Sequence, residues 1–490
     1  MYSLKSLFND KKKILVVGSG LAAYGACKAL INRPDIEIEL CDIGLRSAYK
    51  NQPNKIVPNA KDCNSSFYAY GLNDFRWNVN LISERICSSH AYGGFSKVWS
   101  GSILRPRDED LVDWPLESIP SDSDYSEIIK SLNVYCEKDE LNDLFPLNGI
   151  QKIKNPDRKI YIGKSRIALA KIKDQTKNRK AIPFDSSRIF SEWIEKKLIK
   201  YFGDTRLIYV RKIENILEAH FDNLGSKIIK KYDQIFLGAG CVNTTAIVDR
   251  SLYRSGTRIY KLKLVPHLVQ GLLKIPLINS EYAEKLGMHD DYGLTRFFLE
   301  SKNRNTGNFW SHTQIGPINK LIIKRIFRKE NNFIYTLLSS IFSVFRFSLT
   351  LFHSNLREEV TMKISTKNEK NSFSQTIQIE ENDYSCSKNM YRSTKLALLS
   401  KFFRLGLIPI PFSLWISKVL LKNSLGIHHF GGSLPMSKFS RKKSYCNPSG
   451  ELFNLKGTFV IDTSSFPSIP GSTIGLLTMA NAYRIAKKSI

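Results

Sequence analysis

Two adjacent histidines near the C-terminus are the residues best suited to proton transfer in this chain of 490 residues. His428 and His429 precede a pair of glycines, and a neutral imidazole, with an unperturbed pKa of about 6.5, can accept a proton from a hydroxyl group. Adjacent histidines also occur in metal sites and on surfaces. The sequence offers no further ligands at metal-binding spacing, so it predicts no metal site.

A glycine-rich turn near the N-terminus predicts a nucleotide site. Residues 14–17 form a uniformly apolar run, as expected for a parallel strand that is covered on both faces. Gly18 and Gly20 follow at the start of a helix, where glycines let a pyrophosphate approach backbone N–H groups. Asp42 ends the next strand, where a carboxylate accepts ribose hydroxyls and favours FAD or NAD over NADP. The residues predicted to contact the cofactor here are Gly18, Gly20, Leu21, Ala22 and Asp42.

Two further segments also suggest close approach of the backbone to a ligand. Residues 91–102 contain paired glycines among small residues, which can pass close to a flat or charged ligand; a plain flexible loop is the alternative. A buried strand over residues 234–237 ends in Gly-Ala-Gly before a helix start. The chain is therefore predicted to re-enter the nucleotide-binding sheet.

The C-terminal motifs complete a resemblance to a known family. They are His-x-x-Gly over residues 428–431, Val-x-Asp-x-Ser-x-x-Pro over 460–467, and Ala-x-x-x-Arg over 480–484. With the earlier glycine-rich segments, they resemble the glucose-methanol-choline (GMC) family of FAD-dependent oxidoreductases.

The resemblance implies an FAD cofactor and roles for individual residues. His428 matches the catalytic base, and His429 would orient or contact the substrate. Thr473 stands where the family usually has His or Asn as a second catalytic residue, and Trp99 stands where many members have Asn. The cofactor-binding residues that the resemblance adds are Gly93, Gly94, Ser96, Trp99, Val210, Gly240, Asp462 and Thr473.

The implied reaction is oxidation of the CH–OH group of an alcohol, with a sugar or polyol as the expected substrate. His428 would remove the hydroxyl proton while hydride passes to flavin N5. Two alternatives stay open: an FAD-containing lyase without net redox chemistry, and a non-enzymatic basic surface-binding protein with a vestigial nucleotide fold. Oxidase and dehydrogenase, the electron acceptor and the oligomeric state also stay open.

The predicted fold class is an α/β FAD-binding Rossmann-like domain with a second, α+β substrate domain built on an antiparallel sheet. The discontinuous FAD-binding domain is predicted over residues 1–155, 203–255 and 425–490. The substrate domain is predicted over residues 156–202 and 256–424, where alternating strands and polar turns recur.

The composition bears on partners and location. A net charge of +28 could suit nucleic acid, an anionic membrane or an acidic substrate. Lysines are spread along the chain without a nucleic-acid motif, so no nucleic-acid partner is predicted. Residues 320–329 are basic and amphipathic, which leaves peripheral contact with the inner face of a membrane open. Strict alternation over residues 345–351 excludes one spanning helix there.

The cysteines and the N-terminus favour a cytoplasmic location. Eight cysteines are scattered without a C-x-x-C motif, as expected for reduced thiols. Residues 1–13 contain no apolar stretch of the kind that a secretory signal needs.

Overall fold

The computed structural model describes residues 11–44, 79–83, 86, 88–97, 99, 101–132, 151–155, 158–164, 166–171, 181–274, 297–302, 306–317, 345–369, 372–380, 388–404, 407–410, 429–439 and 446–490. His428 and the basic segment 320–329 therefore lie outside the described residues.

The described strands are β1 Lys12–Val17, β2 Ile36–Cys41, β3 Val79–Ile82, β4 Ser102–Ile103, β5 Gln151–Asn155, β6 Arg158–Lys164, β7 Arg166–Ile167, β8 Leu169–Lys171, β9 Ala181–Pro183, β10 Lys200–Phe202, β11 Arg206–Ile213, β12 Ile216–Asn223, β13 Ser226–Tyr232, β14 Gln234–Leu237, β15 Gly256–Leu264, β16 His267–Lys274, β17 Phe297–Ser301, β18 Ser311–Pro317, β19 Phe345–Leu351, β20 Val360–Glu369, β21 Ser372–Glu380, β22 Leu407–Pro409, β23 Phe430–Gly431 and β24 Thr458–Val460. The described α-helices are α1 Leu21–Leu30, α2 Asp122–Ser131, α3 Ser186–Glu195, α4 Cys241–Leu252, α5 Lys388–Arg404 and α6 Gly475–Lys488.

A parallel sheet in the order β10-β2-β1-β14-β24 forms the nucleotide-binding half of the fold. Residues 14–17 of β1 and 235–237 of β14 are apolar and buried. α1 packs against these strands, and β13, from the separate three-stranded sheet β11-β12-β13, also contacts β1. Helices α1 and α6 pack against each other beside this sheet. Strands from the N-terminus, the middle and the C-terminus thus meet in one sheet, and their carboxyl ends share one edge.

Two strands lie across the domain boundaries that the sequence suggested. β10 comes from the range assigned to the substrate domain, yet it pairs with β2 in the parallel sheet. β5 comes from the range assigned to the FAD-binding domain, yet it pairs with β6 in the large antiparallel sheet. Both strands are short. β10 pairs with a strand far away in sequence and β5 pairs with the next strand, and the periodicity of a sequence does not show which strands pair. The division into two domains stays a prediction.

The second half of the fold is built on an antiparallel sheet in the order β22-β16-β19-β18-β17-β6-β5. One face packs on α5 through a core made of Leu272, Leu299, Ile315, Leu398, Phe402 and Leu407. β19 covers the residues whose alternation excluded a spanning helix. Among the described residues, no helix combines the length and the apolar character that crossing a membrane requires.

A third sheet, in the order β23-β15-β20-β21-β3, connects the two halves. β23 follows His429 directly and pairs with the end of β15, so that Phe430 lies opposite Leu264. Three residues after Leu264 the chain enters β16 of the large antiparallel sheet. This pairing brings the histidine segment next to the substrate half of the fold.

Candidate active site

The glycine turn after β1 has the shape that a phosphate group needs. Gly18 has φ +95°, and a Cβ atom there would lie 2.4 Å from the carbonyl oxygen of Gly238. Gly20 is extended, and the nearest atom to a Cβ built on it is the carbonyl oxygen of Gly93 at 4.0 Å. Gly18 thus joins the ends of β1 and β14, whereas the space beside Gly20 is open. α1 begins here without a side-chain cap, so its positive end faces that space, with Leu21 and Ala22 in its first turn.

Asp42 lies at the end of β2, beside the glycine turn. Its Oδ1 accepts a hydrogen bond from the Gly44 N–H at 2.6 Å, and the residue is 7% exposed. Burial raises the pKa of Asp42 to about 6, and hydrogen bonds from Ser19 and Gly44 oppose the rise. The position fits a carboxylate that accepts ribose hydroxyls.

The second glycine loop is hydrogen-bonded to the first. The Gly93 N–H donates to Ser19 Oγ at 2.7 Å, and Ser96 Oγ donates to the Gly93 carbonyl oxygen at 2.6 Å. Gly94 also touches this turn, because a Cβ atom on it would lie 3.5 Å from the Cα of Gly20. The sequence-predicted residues Gly93, Gly94 and Ser96 are therefore brought onto the turn.

The start of α3 also belongs to this hydrogen-bonded unit, which sequence reasoning missed. Ser186 Oγ donates to the Ser19 carbonyl oxygen at 2.7 Å, and it lies 2.7 Å from Ser96 Oγ. Asp185 caps the helix by accepting from the Ser187 N–H at 2.9 Å. Asp-Ser-Ser before a helical pattern is an N-cap signal, but only the fold shows what the cap touches.

Trp99 connects the second glycine loop to α6. Its Nε1 donates to the Phe184 carbonyl oxygen at 2.7 Å. A Cβ atom on Gly475 would lie 2.5 Å from Trp99 Cζ3 and 3.5 Å from Leu21 Cδ1. The ring therefore fixes the start of α6 close to the start of α1, while its predicted contact with the cofactor stays a prediction.

Asp462 ties the turn after β24 to the start of α4. Its Oδ2 accepts from Thr244 Oγ1 at 2.5 Å, and its Oδ1 accepts from the Ser464 N–H at 3.0 Å. Burial raises the pKa of this carboxyl, and its hydrogen bonds oppose the rise. Gly240 precedes α4 with φ +84° and no atom within 4 Å of a Cβ built on it. Both residues lie at the carboxyl edge of the parallel sheet, as Gly18 does.

Val210 occupies a different place from the other predicted cofactor residues. It is buried in β11, and its N–H donates to Ser251 Oγ in the last turn of α4 at 2.9 Å. Gly240 precedes the first turn of the same helix, about 16 Å away at 1.5 Å per residue. The structure does not bring Val210 next to the residues around the glycine turn, and its contact with the cofactor stays a prediction.

Thr473 and His429 approach the site from two sides. Thr473 is buried two residues before α6 begins, and its Oγ1 donates to the Ser102 carbonyl oxygen at 3.3 Å. The His429 carbonyl oxygen accepts from the Val265 N–H at 3.0 Å, and its buried Nδ1 has no hydrogen-bond partner among the described residues. Burial, together with the charges of His312 and His267, lowers the pKa of His429 to about 4. Its imidazole is therefore neutral at pH 7 and able to accept a proton.

His267, His312 and Glu300 were not singled out from the sequence. In the large antiparallel sheet, Leu351 pairs with both His267 and His312, and His312 pairs with Glu300. Alternation marks these strands as half-buried but does not say which strands become neighbours. No group of three or more potential ligands in the described ranges is arranged to hold a metal ion.

Residues 413–482 match the sequence model of a family described as GMC oxidoreductase. No curated protein matches the chain significantly. The resemblance to the glucose-methanol-choline family that the sequence predicts is thereby confirmed for the segment that carries the two histidines and Asp462.

Solved structures share the fold over nearly the whole chain. A pyridoxine 4-oxidase from Mesorbium loti is 13% identical with a TM-score of 0.59, and the match covers 98% of this chain and 99% of that one. A formate oxidase variant from Aspergillus oryzae RIB40, described in a study of FAD modification, is 11% identical with a TM-score of 0.60, covering 97% and 98%. The observed combination of parallel and antiparallel sheets is therefore a known flavoprotein architecture. The family match and the open, glycine-lined turn beside Asp42 support FAD as the cofactor.

Proposed function

We propose that this protein is an FAD-dependent oxidoreductase that oxidises the CH–OH group of an alcohol. The observation that carries the proposal is that four separate segments of the chain meet at the predicted cofactor site. The glycine turn, the Gly93–Gly94 loop, the Asp462 turn and the start of α6 come from four separate parts of the chain and are held together by short contacts. His429 lies directly before β23, and Gly431 of this strand touches the backbone of Thr463 beside Asp462.

The residues around the glycine turn suit an elongated dinucleotide. The N–H groups at the start of α1 would bind the pyrophosphate, and Asp42 would accept the ribose hydroxyls. When bound, FAD supplies an acceptor for the hydride of an alcohol carbon. The start of α6 would add a second positive helix end, which stabilises negative charge nearby.

The histidine segment would supply the base. His428 is our candidate for removing the hydroxyl proton, and His429 is its neighbour in the same segment. The neutral state of His429 follows from its burial and from the nearby imidazoles. A base of this kind accepts a proton as the alcohol carbon loses hydride, so that no alkoxide has to form in water.

A polar substrate is favoured by the sheet that faces this region. His267, His312 and Gln314 lie on one face of the large antiparallel sheet, which offers several donors and acceptors. A substrate with several hydroxyl groups can both donate hydrogen bonds to such groups and accept hydrogen bonds from them. A sugar or polyol is therefore our candidate substrate.

The test uses the purified protein. We expect it to be yellow, to release FAD on denaturation, and to lose its oxidised flavin absorbance when mixed with a suitable sugar or polyol without oxygen. Readmission of air then separates an oxidase from a dehydrogenase, because only an oxidase reoxidises rapidly. Bound flavin that no alcohol reduces would favour the lyase reading, and a protein without flavin would favour the vestigial nucleotide fold.

A further inference from the structure

We propose that His312 is a substrate-contacting residue of this active site, and that Glu300 and Arg107 position its ring. The inference rests on the proposed function and deepens it. It assigns His312 the recognition of a second hydroxyl group, so that the preferred substrate carries a hydroxyl besides the one that is oxidised.

The sheet register places His312 in a row of side chains across four strands. His267 in β16, Leu351 in β19, His312 in β18 and Glu300 in β17 are successive register partners. Side chains of directly paired residues project from the same face, and neighbouring strands lie about 4.8 Å apart. The two histidines and the carboxylate therefore share one face.

This face is directed toward the cofactor half of the molecule. The opposite face is packed on α5 through Leu272, Leu299 and Ile315. A Cβ atom on Gly471 would lie 2.8 Å from the carbonyl oxygen of Trp310 and 3.0 Å from that of Leu351. The loop that leads through Thr473 into α6 therefore runs against the ends of the strands that carry His312.

His429 reaches the same place from the third sheet. Its carbonyl oxygen accepts from the Val265 N–H, two residues before His267 begins β16. After burial, the charges of His312 and His267 are the causes that lower the pKa of His429, as expected for rings that lie close together. The three imidazoles thus lie close enough together for their charges to interact.

Glu300 and Arg107 hold the ring of His312. Arg107 Nε donates to Glu300 Oε2 at 2.8 Å, and a second guanidinium nitrogen makes a shorter bond to the same oxygen. The guanidinium also lies over the Trp310 ring, 4.0 Å from its centroid. The other carboxylate oxygen, Oε1, lies 3.5 Å from His312 Nδ1.

These contacts keep the Glu300 carboxylate ionised although it is buried. Burial is the largest effect on its pKa and raises it, but the hydrogen bonds and charges of His312 and Arg107 outweigh burial, and the net pKa is lowered. An anionic oxygen beside Nδ1 favours the tautomer with the proton on that nitrogen. In the neutral ring the Nε2 atom is then the acceptor, whereas a protonated ring donates from both nitrogens.

The Nε2 atom has an amide beside it. Gln314 Nε2 and His312 Nε2 form a long hydrogen bond of 3.5 Å on the same face of β18, which a substrate hydroxyl would replace. An imidazole acceptor next to an amide donor suits a hydroxyl group, which both donates and accepts. A site built to hydrogen-bond a hydroxyl discriminates strongly against substrates that lack it.

The direct test compares a polyol with a simple alcohol of the same length in His312→Ala. We expect unchanged flavin content, a KM for the polyol raised about tenfold or more, and little change for the simple alcohol. Thr313→Val is the matched control, because Thr313 is the next residue of the strand on the opposite face, where it hydrogen-bonds Thr350. An unchanged preference for the polyol in His312→Ala would overturn the inference.

The positioning role has a readout that does not depend on turnover. In Glu300→Gln the single amide oxygen is expected to face Arg107, so that the amide NH2 faces His312 Nδ1 and reverses the tautomer. Nitrogen NMR of labelled histidines can follow this, with His312 assigned as the signal missing in His312→Ala. Retention of the Nδ1–H tautomer in Glu300→Gln would contradict the positioning by Glu300.

If no alcohol reduces the wild-type flavin, the proposed function is wrong, and the proposed contact between His312 and the substrate is wrong with it. If alcohols reduce the flavin but a polyol is not preferred over a simple alcohol, only the inference about His312 is wrong.

Discussion

Two glycines of the same turn have different physical reasons for lacking a side chain. Gly18 is required by the protein itself, since a Cβ atom there would collide with the backbone of Gly238. Gly20 has an ordinary extended conformation and open space beside it. The structure gives Gly20 no internal reason to be glycine, and a bound phosphate group supplies one.

The first prediction uses this difference. Gly20→Val should fold with a free energy of unfolding within about 0.5 kcal/mol of the wild-type apoprotein, because no protein atom is displaced. It should nevertheless lose most of its flavin, because the branched side chain fills the space that the pyrophosphate needs. Gly20→Ala is the graded control. Flavin absorbance at full stoichiometry in folded Gly20→Val would contradict the assignment of the turn.

Asp42 predicts how cofactor affinity depends on pH. Burial raises the pKa of its carboxyl to about 6 in the protein without cofactor. Only the ionised carboxylate accepts from both ribose hydroxyls, so the competent fraction falls as pH drops through this value. We expect FAD affinity to decrease about tenfold between pH 7 and pH 5.

The matched variants for this prediction are Asp42→Asn and Asp35→Asn. The first should bind FAD more weakly and without this pH dependence. The second should behave as the wild type, because Asp35 is exposed and its pairing with Arg33 lowers its pKa. Equilibrium dialysis or flavin fluorescence across the pH range measures the effect, and a pH-independent affinity of the wild type would count against Asp42.

Among the elements, those with a strong local signal were predictable. Residues 14–17 of β1 and 235–237 of β14 are apolar because they are fully enclosed in the main core. β19 alternates because Leu349 and Leu351 pack on the main core, whereas Arg346 lies on the opposite face, the one that bears α5. β10 was missed because three residues are too short for a periodic signal. The His312 row was missed because register between strands far apart in sequence depends on the folded sheet and not on local pattern.

The start of α6 is fixed by a single aromatic ring. A Cβ atom on Gly475 would meet Trp99 at 2.5 Å, so Gly475→Ala should displace either the ring or the helix start. We expect a destabilisation of about 1–3 kcal/mol, measured by denaturant unfolding. In a Trp99→Phe background the cost should fall by at least about 0.5 kcal/mol, because the two sites are in contact. Strict additivity would show that the ring does not position the helix.

At the scale of the whole molecule, the Arg107–Glu300 ion pair joins the two halves. Arg107 follows the second glycine loop and the β4 strand, whereas Glu300 belongs to the large antiparallel sheet. Their pairing connects cofactor and substrate halves behind the site. The sequence showed both residue types but not their contact, because 193 positions separate them.

Replacing Arg107 should therefore lower the free energy of unfolding more than replacing Lys302, the other cation near the Trp310 ring. Arg107→Met leaves the Glu300 carboxylate buried without its bidentate partner, and we expect a loss of about 3 kcal/mol. Lys302→Met is the control, because Lys302 also lies near the Trp310 ring but pairs with Glu109, whose side chain is half-exposed. Its loss should stay under about 1 kcal/mol. Equal losses in the two variants would argue against a structural role for the Arg107–Glu300 pair.

The overall fold could be predicted from the sequence where its motifs are contiguous in the chain. The glycine turn and Asp42, both within the first 42 residues, and the C-terminal motifs indicated a flavoprotein with a discontinuous cofactor half. The contacts of Ser186 and of His312 depend on how distant segments meet, and no local pattern encodes them. The substrate half in particular carries buried polar residues whose partners appear only in the folded sheet.

The measurement that tests the central claim most directly is anaerobic stopped-flow reduction of the bound flavin by a polyol in the wild type and in His428→Ala. We expect His428→Ala to retain its flavin and to be reduced about 10²- to 10⁴-fold more slowly, with a smaller loss in His429→Ala. The rate of flavin reduction should fall least in Thr473→Ala, because the Thr473 hydroxyl donates its hydrogen bond to a backbone carbonyl oxygen. A flavin that no alcohol reduces in the wild type, or a His428→Ala variant reduced at the wild-type rate, would contradict the proposed alcohol oxidation and its base.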